Sequence, residues 1–548
     1  MRALRPPNCG AAARRLAVRP AAASAPRCAA CSRDAGQRRA ISHRPPSWRP
    51  LSALDECVSP TCRYFSNHAA VQPGGGDASA GGNRAGGSGD FGDVVLQRSW
   101  AHVASVLERW VAKEARPVSL RQLMFFGRSL TEPRLLSSAN YVRTELPTRL
   151  SHRIRDMQLL PYMVVSNSHI AEVYNMYWNA FDTFRKVKEI ETLEDNENFC
   201  KIISQMLKTH LAVIPKLAMG VLESSALMDQ DELNKFMNRI LQSRISRRVI
   251  AEQHLALTDG FSKGQRHQHQ HRQHHRHGPS SAAPSSPSAE PDFVGNVLVK
   301  CVAKDVVERC GAAVKELARS AHGPDVVLPE IQVEGDLGAS FPFILSHLEY
   351  IVGELLRNSV DAVVERSARR GQQEQQQQSP PPPPPIEVTI CESSQHVIVR
   401  VSDQGGGIPR DMLPYLWSFS KGPHSGRLLG NLGKVPKLSA TLQEVRVEAD
   451  YNYQRPEEAE EQRADQHGRP GATAAPSPSS SSLSSLSSRP PNLRLGIGLP
   501  LSRVYAEYWA GSLELHSLEG YGVDVFLQIS KLGNKNEQLT TRASMDAV

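Results

Sequence analysis

Long apolar runs are missing from this chain of 548 residues. None approaches the roughly 18 uninterrupted apolar residues that a membrane-crossing helix needs, so no transmembrane segment is expected. A second cysteine pair is missing as well. Cys28 and Cys31 stand in C-x-x-C spacing, but no partner pair follows in ordered sequence, and a zinc site is not expected. Of the nine cysteines, Cys9, Cys28, Cys31, Cys57 and Cys62 crowd the N-terminal stretch. Cys200, Cys301, Cys310 and Cys391 are scattered through predicted helices and strands and read as small buried hydrophobes in a reducing compartment. Lysine and acid are scarce at the start. Residues 1–66 hold twelve Arg, no Lys, and only Asp34, Asp55 and Glu56 as acids, a surplus of nine. The formal net charge is +8, so the other residues together carry −1. With no basic surplus outside the leader, a nucleic-acid reading of the high pI is excluded.

What is present is enough for two or more domains. Hydrophobic residues make up 40% and charged residues 22%, while 38 Gly and 38 Pro announce long stretches without structure. The leader, rich in Arg, Ala, Pro and Ser, has the composition of a mitochondrial presequence; a plastid address and a plain basic tail are the alternatives. With the Gly/Ser/Ala-rich linker behind it, this accounts for residues 1–90. Residues 91–260 read as an all-α helix bundle. Segments near 94–115, 137–157, 168–190, 197–225 and 230–257 carry apolar residues three and four apart, punctuated by Pro147, Pro161 and Pro215. Residues 261–290 hold His267, His269, His271, His274, His275 and His277 among Gln and Arg, and read as a low-complexity surface loop rather than a metal site. Residues 291–535 are mixed. Helices are expected at 294–320, 344–370, 409–418 and 499–510, and strands at 329–334, 386–391, 396–401, 444–449, 512–517 and 523–530. Low-complexity inserts fall at about 371–385 and 454–492, and a tail at 536–548. Segregated helices and a mostly antiparallel sheet make this half a two-layer α/β sandwich.

Three short blocks in that half point to a nucleotide–Mg²⁺ pocket. Glu354 and Asn358 lie four apart on an amphipathic helix whose apolar face is Leu348, Ile351, Val352, Leu355 and Leu356. Asn358 offers a neutral oxygen suited to Mg²⁺; Glu354 can take a proton from an attacking hydroxyl. The alternating strand His396-Val-Ile-Val-Arg-Val401 delivers Asp403 to Gly405, Gly406 and Gly407, where a carboxylate beside flexible backbone can accept from an exocyclic amine such as adenine's. Gly496-Ile497-Gly498-Leu499-Pro500 is a glycine turn opening a helix, a place for phosphate to meet backbone N–H groups. Between them, residues 420–443, with Lys421, Ser425, Gly426, Arg427, Gly430 and Gly433, lack periodicity and read as a mobile lid.

These blocks resemble the N, G1 and G2 boxes of the GHKL ATPase and kinase superfamily, whose nucleotide domain is the Bergerat fold. The likeness narrows through Tyr141-Val-Arg-Thr-Glu-Leu-Pro-Thr-Arg-Leu150, Ser243-Arg-Ile-Ser246, Gln253-His-Leu-Ala-Leu257, Pro291-Asp-Phe-Val-Gly295, Phe341-Pro-Phe-Ile344 and Leu499-Pro-Leu-Ser-Arg-Val-Tyr-Ala-Glu-Tyr508. Together they are similar to the mitochondrial 2-oxoacid dehydrogenase kinases, with the branched-chain α-ketoacid dehydrogenase kinases nearest. The resemblance runs from about 118 to 530 outside the inserts. It implies a four-helix bundle followed by an ATP domain, ATP and Mg²⁺ as cofactors, and a matrix location. It also implies serine phosphorylation, and inactivation, of the dehydrogenase component of the complex. The lipoyl domain of the acyltransferase would be the dock, and the ATP domain would carry a homodimer contact. By position Glu354 would be the base, Asn358 the metal ligand, Asp403 the adenine contact, and Gly405, Gly407, Gly496, Gly498 and Leu499 the loops around the nucleotide. After residue 530 there is no Trp, which resembles the branched-chain rather than the pyruvate type.

Four positions depart from the family pattern. Arg494 stands at the first Gly of the G2 loop, Gln404 replaces Arg in the G1 box, Asp361 replaces an Arg after the Asn, and Val523 replaces a Thr near the adenine. Two other readings are weighed. Ser151-His152-Arg153-Ile154-Arg155 resembles the acceptor box of a histidine kinase, and Arg494 with Val523 motivates a nucleotide-binding scaffold without transfer.

Overall fold

A computed structural model describes residues 105–274, 293–373, 382–419, 422, 424–438, 441 and 493–539. The leader, the linker, the strand expected at 444–449, the 454–492 insert and Lys421 lie outside them.

The first half is helical: α1 (Leu120–Gly127), α2 (Glu132–Gln158), α3 (Tyr162–Val165), α4 (Ser168–Arg185), α5 (Leu193–Thr209), α6 (Val213–Glu223) and α7 (Gln230–His274). Helix α5 passes into α6 through one 3₁₀ turn, so α2, α4, α5–α6 and α7 form the bundle. Ser119 and Thr192 start α1 and α5 with capping boxes. Helix α2 runs through Pro147 instead of ending there, because Leu146 and Leu150 on either side are fully buried and packing outweighs the lost backbone bond. His254, also fully buried, joins three helices: Ser138 Oγ lies 3.1 Å from its Nδ1 and Asn196 Oδ1 2.9 Å from its Nε2.

The second half contains β1 (Phe293–Val294), β2 (Val297–Val302), α8 (Ala303–His322), β3 (Ile331–Gly335), β4 (Ser340–Ile344), α9 (Leu345–Gln373), β5 (Ile386–Glu392), β6 (His396–Asp403), α10 (Ser425–Leu432), α11 (Gly498–Tyr508), β7 (Ser512–Leu518) and β8 (Gly522–Ser530). One sheet has the order β3-β5-β6-β8-β7, antiparallel except for the parallel β3–β5 pair. Along β6, Val397, Val399 and Val401 are buried and alternate with half-buried residues, the signature of one face against the core. Helix α9 packs on α8 and α11 and on β4 and β6, α8 on β3, and α11 on β7 and β8, giving the two-layer sandwich.

Several expectations are corrected. The helix expected from 294 begins at Ala303. Residues 293–302 instead form a hairpin with Gly295 at a φ of 61°, paired through β2 to β4 in a second sheet of three strands. A short apolar run that leads straight into a helix gives no periodicity by which to separate the two. The helix at 409–418 reduces to one 3₁₀ turn, Leu413–Tyr415, with Pro409 ahead of it and Pro414 within it. The histidine-rich stretch is no loop as far as His274, because α7 continues through it. Gln and Arg are good helix formers, and extending an existing helix costs far less than starting one. The lid region is not irregular either. Helix α10 carries Leu432 into the core and packs on α6, and Leu438 N–H donates to Leu211 O at 3.1 Å. Cys301 and Cys310 are buried, with the Cys301 thiol pushed up to about 12 by burial, but Cys391 is exposed on β5.

Candidate functional site

Helix α9 carries two of the expected residues, Glu354 and Asn358. Leu348, Ile351, Val352, Leu355, Leu356, Val360 and Val363 recur at helical spacing and are buried, which fixes the helix's rotation. Asn358 is left exposed, and no hydrogen bond to it is found among the described residues. Glu354, one turn earlier, is not on a solvated face: it is 6% exposed and lines a narrow cleft between α8 and α9 with Glu349, Tyr350 and Arg357.

Asp403 ends β6 and is held on both carboxylate oxygens. Ser359 Oγ, on α9 beside Asn358, donates to Oδ2 at 2.9 Å, and Gly405 N–H donates to Oδ1 at 2.8 Å. Burial pushes the carboxyl above its ordinary value, while these hydrogen bonds pull it down. The Val523 backbone adds a third such bond, and a carboxylate has about four lone-pair sites, so the group can still accept from an amine. The glycines around it are sterically required. A Cβ on Gly405 would lie 2.5 Å from Ala362 Cβ, and one on Gly407, at a φ of 74°, would lie 2.2 Å from Leu518 O. The β6 exit is thus pressed onto α9 and onto the β7–β8 turn.

The third block also reaches α9. Gly496 has a φ of 72° and lies beneath Leu428 of α10, where a Cβ would come within 2.6 Å. Gly498 is the first residue of α11, with Leu499 and Pro500 in its opening turn. Arg494, at the start of the turn, pairs with Glu365 of α9, and its carbonyl accepts from Asn431 Nδ2 of α10 at 2.8 Å. Asn358, Asp403, Gly405 and the Gly496 turn are therefore all brought to one stretch of α9, with Glu354 a turn away. Strand end, helix and glycine turn can together receive a flat base and a polyanion.

Three participants escaped the sequence reading. Ser359 fixes Asp403. Arg366 donates from Nη1 to Gln404 O and Tyr521 O, each at 2.6 Å, and from Nη2 to Gly520 O at 2.7 Å, stapling the G1 loop to the β7–β8 turn. Gly522 leaves no room for a side chain, since a Cβ would lie 1.9 Å from Asp403 O. The Gly520-Tyr-Gly522 spacing was a usable signal for the last, whereas nothing in sequence marks Ser359 or Arg366. Of the departures from pattern, Gln404 contributes through its backbone carbonyl, and Val523 sits opposite Asp403 in the β6–β8 register.

His152 bears on the histidine-kinase reading. Its Nε2 faces two backbone carbonyls, Val111 O at 3.1 Å and Lys113 O at 2.9 Å. Carbonyls only accept, so Nε2 carries the proton and has no lone pair to offer a phosphoryl group. Burial, the largest cause, holds this imidazole below its ordinary value.

A family model described as mitochondrial branched-chain alpha-ketoacid dehydrogenase kinase matches residues 117–297. Another, described as histidine kinase-, DNA gyrase B-, and HSP90-like ATPase, matches residues 344–462. Among curated proteins the chain is 30% identical to mitochondrial pyruvate dehydrogenase (acetyl-transferring) kinase 2 of Saccharomyces cerevisiae, over 82% of this chain and 88% of that protein. It is 27% identical to the mitochondrial pyruvate dehydrogenase (acetyl-transferring) kinase of Arabidopsis thaliana, over 79% and 95%. With isozyme 3 of the human enzyme the identity is 24%, over 79% and 87%.

Proposed function

The chain belongs to the family of mitochondrial 2-oxoacid dehydrogenase kinases, and on that premise we propose that it transfers the γ-phosphate of ATP to a serine of the dehydrogenase component of such a complex, inactivating it in the mitochondrial matrix. The chain is a protein kinase with an ATPase domain of the GHKL type. The observation that carries the proposed site is the junction of α9 with the end of β6, where Ser359 binds Asp403 next to Asn358. Asp403 accepts from the exocyclic amine of adenine, and the first N–H groups of α11, behind Gly496 and Gly498, face phosphate. The residues fit Mg²⁺: the exposed Asn358 amide oxygen is a hard, neutral ligand that leaves positions for phosphate oxygens and water. Once bound there, the ion supplies neutralisation of the triphosphate charge. Glu354 orients the substrate hydroxyl and takes its proton.

The finer identity of the substrate has two supports that point differently. The family model over residues 117–297 is described by the branched-chain enzyme, whereas the similar curated proteins are named for pyruvate dehydrogenase. The branched-chain complex is the substrate proposed. A cavity of about 630 Å³ between α1, α2 and α7, with Leu123, Phe126, Val142 and Leu257 in its wall, offers the lipoyl arm of the acyltransferase a dock. A homodimer through the ATP domain completes the proposal. The test is incubation with each purified complex and labelled ATP, followed by mapping of the label. Acid-stable phosphoserine on the branched-chain dehydrogenase is expected. Label on pyruvate dehydrogenase alone overturns the substrate choice, acid-labile label overturns serine transfer, and nucleotide binding with no transfer to either leaves a scaffold.

A further inference from the structure

Arg494 is the feature of this site that the functional reading leaves unused. Its backbone is fixed. The carbonyl is held by Asn431 of α10, Leu495 beside it is buried, and Gly496 is pinned under Leu428. Its side chain is not fixed: it is 51% exposed and pairs with Glu365, itself 36% exposed. An ion pair this open to water is weak and easily exchanged. The carboxylates that face the guanidinium lie on a stripe of α9 that also contains the metal-ligand candidate. Asn358, Asp361 and Glu365 are three and four residues apart, which places them along one line of the helix. Asp361 stands about 4.5 Å and Glu365 about 10.5 Å beyond Asn358 along the axis. Arg494 already acts on Asp361. Burial pushes that carboxyl up, while the charges of Arg357, Arg494 and His322 pull it down and Glu365 adds to the rise.

We propose that Arg494 is a positioning residue for the nucleotide: its guanidinium leaves Glu365 for the polyphosphate, guided along the Asp361–Asn358 stripe. A multiply charged triphosphate outcompetes one half-exposed carboxylate, and a planar guanidinium can bind phosphate oxygens in pairs. The charge pattern fits this role. The Asn358–Asp361–Glu365 line of α9 carries two carboxylates, and Arg494 reaches it from the loop. The loop thus brings a cation to that line from a backbone anchored two residues before Gly496.

This inference rests on the ATP site proposed above, and its test separates the two. Binding of ATP, ADP and adenosine is measured by calorimetry with millimolar Mg²⁺ on the full chain and on Arg494→Ala, Arg494→Lys and Glu365→Gln. Arg494→Ala should weaken ATP and ADP about 10- to 100-fold, the range for losing charge-assisted hydrogen bonds, and leave adenosine within about twofold. Arg494→Lys should recover part of the loss. Glu365→Gln, which keeps the side-chain shape and removes the competitor, should tighten ATP severalfold. In turnover assays the KM for ATP should rise more than kcat falls. Equal losses for adenosine and ATP in Arg494→Ala would mean that the residue only pins the loop, and unchanged ATP affinity would mean that it contributes nothing; either overturns the inference. A parent chain that binds neither ATP nor adenosine removes the site itself.

Discussion

Glu537 joins the two halves of the molecule, and removing it should be costly. Its side chain is fully buried and accepts from Arg149 of α2: Nη2 to Oε1 at 2.8 Å and Nη1 to Oε2 at 3.2 Å. Val118 N–H donates to Oε1 at 3.1 Å, and the hydroxyl of Tyr508, the last residue of α11, donates to Oε2. The backbone follows the same path, with Glu537 N–H on Val118 O at 2.8 Å and Gln538 N–H on Tyr508 O at 3.0 Å. Breaking a buried ion pair by deleting one partner typically costs ~3–5 kcal/mol, chiefly because the other charge is left in the interior. Here Arg149 retains Glu145 at 3.3 Å and the Arg116 carbonyl at 2.8 Å, so the low end applies. Glu537→Ala should therefore destabilise by about 3 kcal/mol. In urea denaturation at pH 7 this appears as a lower midpoint at unchanged m. The cycle with Arg149→Met is diagnostic. The double variant replaces a charge pair by apolar surface and should lose less than the sum of the two single variants. A loss below about 1 kcal/mol for Glu537→Ala, or strict additivity in the cycle, would refute the reasoning. Because α11 begins at the glycine turn and ends on this carboxylate, the single variant should also weaken ATP binding from a distance of about 16 Å, the length of that helix.

Other outcomes can be checked at the site and in the bundle. Glu354→Ala should leave ATP binding largely intact and lower turnover by ~10²–10⁴, as judged by kcat alongside calorimetry; unchanged turnover would remove the base assignment. Asn358→Ala should abolish Mg²⁺-dependent ATP binding in a titration. For Asp403, burial raises an acid's folded pKa, so its contribution to stability is present below about 3.8 and is lost as pH rises through the folded value. Asp403→Asn should consequently be no less stable than the parent at pH 7 while binding ATP about tenfold more weakly, and equal affinity would contradict the adenine contact. His210 and His254 are held by burial at about 3 and about 4. A depressed imidazole contributes stability that is complete above its ordinary 6.5 and lost as pH falls towards the folded value. Unfolding free energy should thus drop by about 1.4 kcal/mol per pH unit for each histidine between pH 6.5 and 4, and His210→Gln should flatten that slope in denaturant titrations.

How much of this could be read in the sequence depended on whether a residue's task is set by its neighbours in the chain or by distant ones. The α9 stripe was legible because a helix converts three- and four-residue spacing directly into a face, and Leu348 to Leu356 are buried as that spacing requires. Asp403 and its glycines were legible because a strand that ends on three glycines is unusual for any turn. What stayed hidden is the contact set made at large separation. Ser359 meets Asp403 across 44 residues, Arg366 meets Tyr521 across 155, and Arg149 meets Glu537 across 388. None of these carries a local period, and each becomes visible only once β6 lies on α9 and the C-terminal strap lies on α2. The same cause explains why the helix within the expected lid was not read. Residues 425–432 include two glycines and form a helix because Leu432 finds a pocket against the bundle. Leu428, Leu429 and Leu432 do recur at helical spacing, but two glycines lower the intrinsic propensity of so short a run, and docking decides the outcome. A helix held chiefly by tertiary contact is one that can be released when those contacts change. Leu428 and Asn431 place that helix on Gly496 and on the Arg494 carbonyl, so release of α10 would free the backbone of the glycine turn.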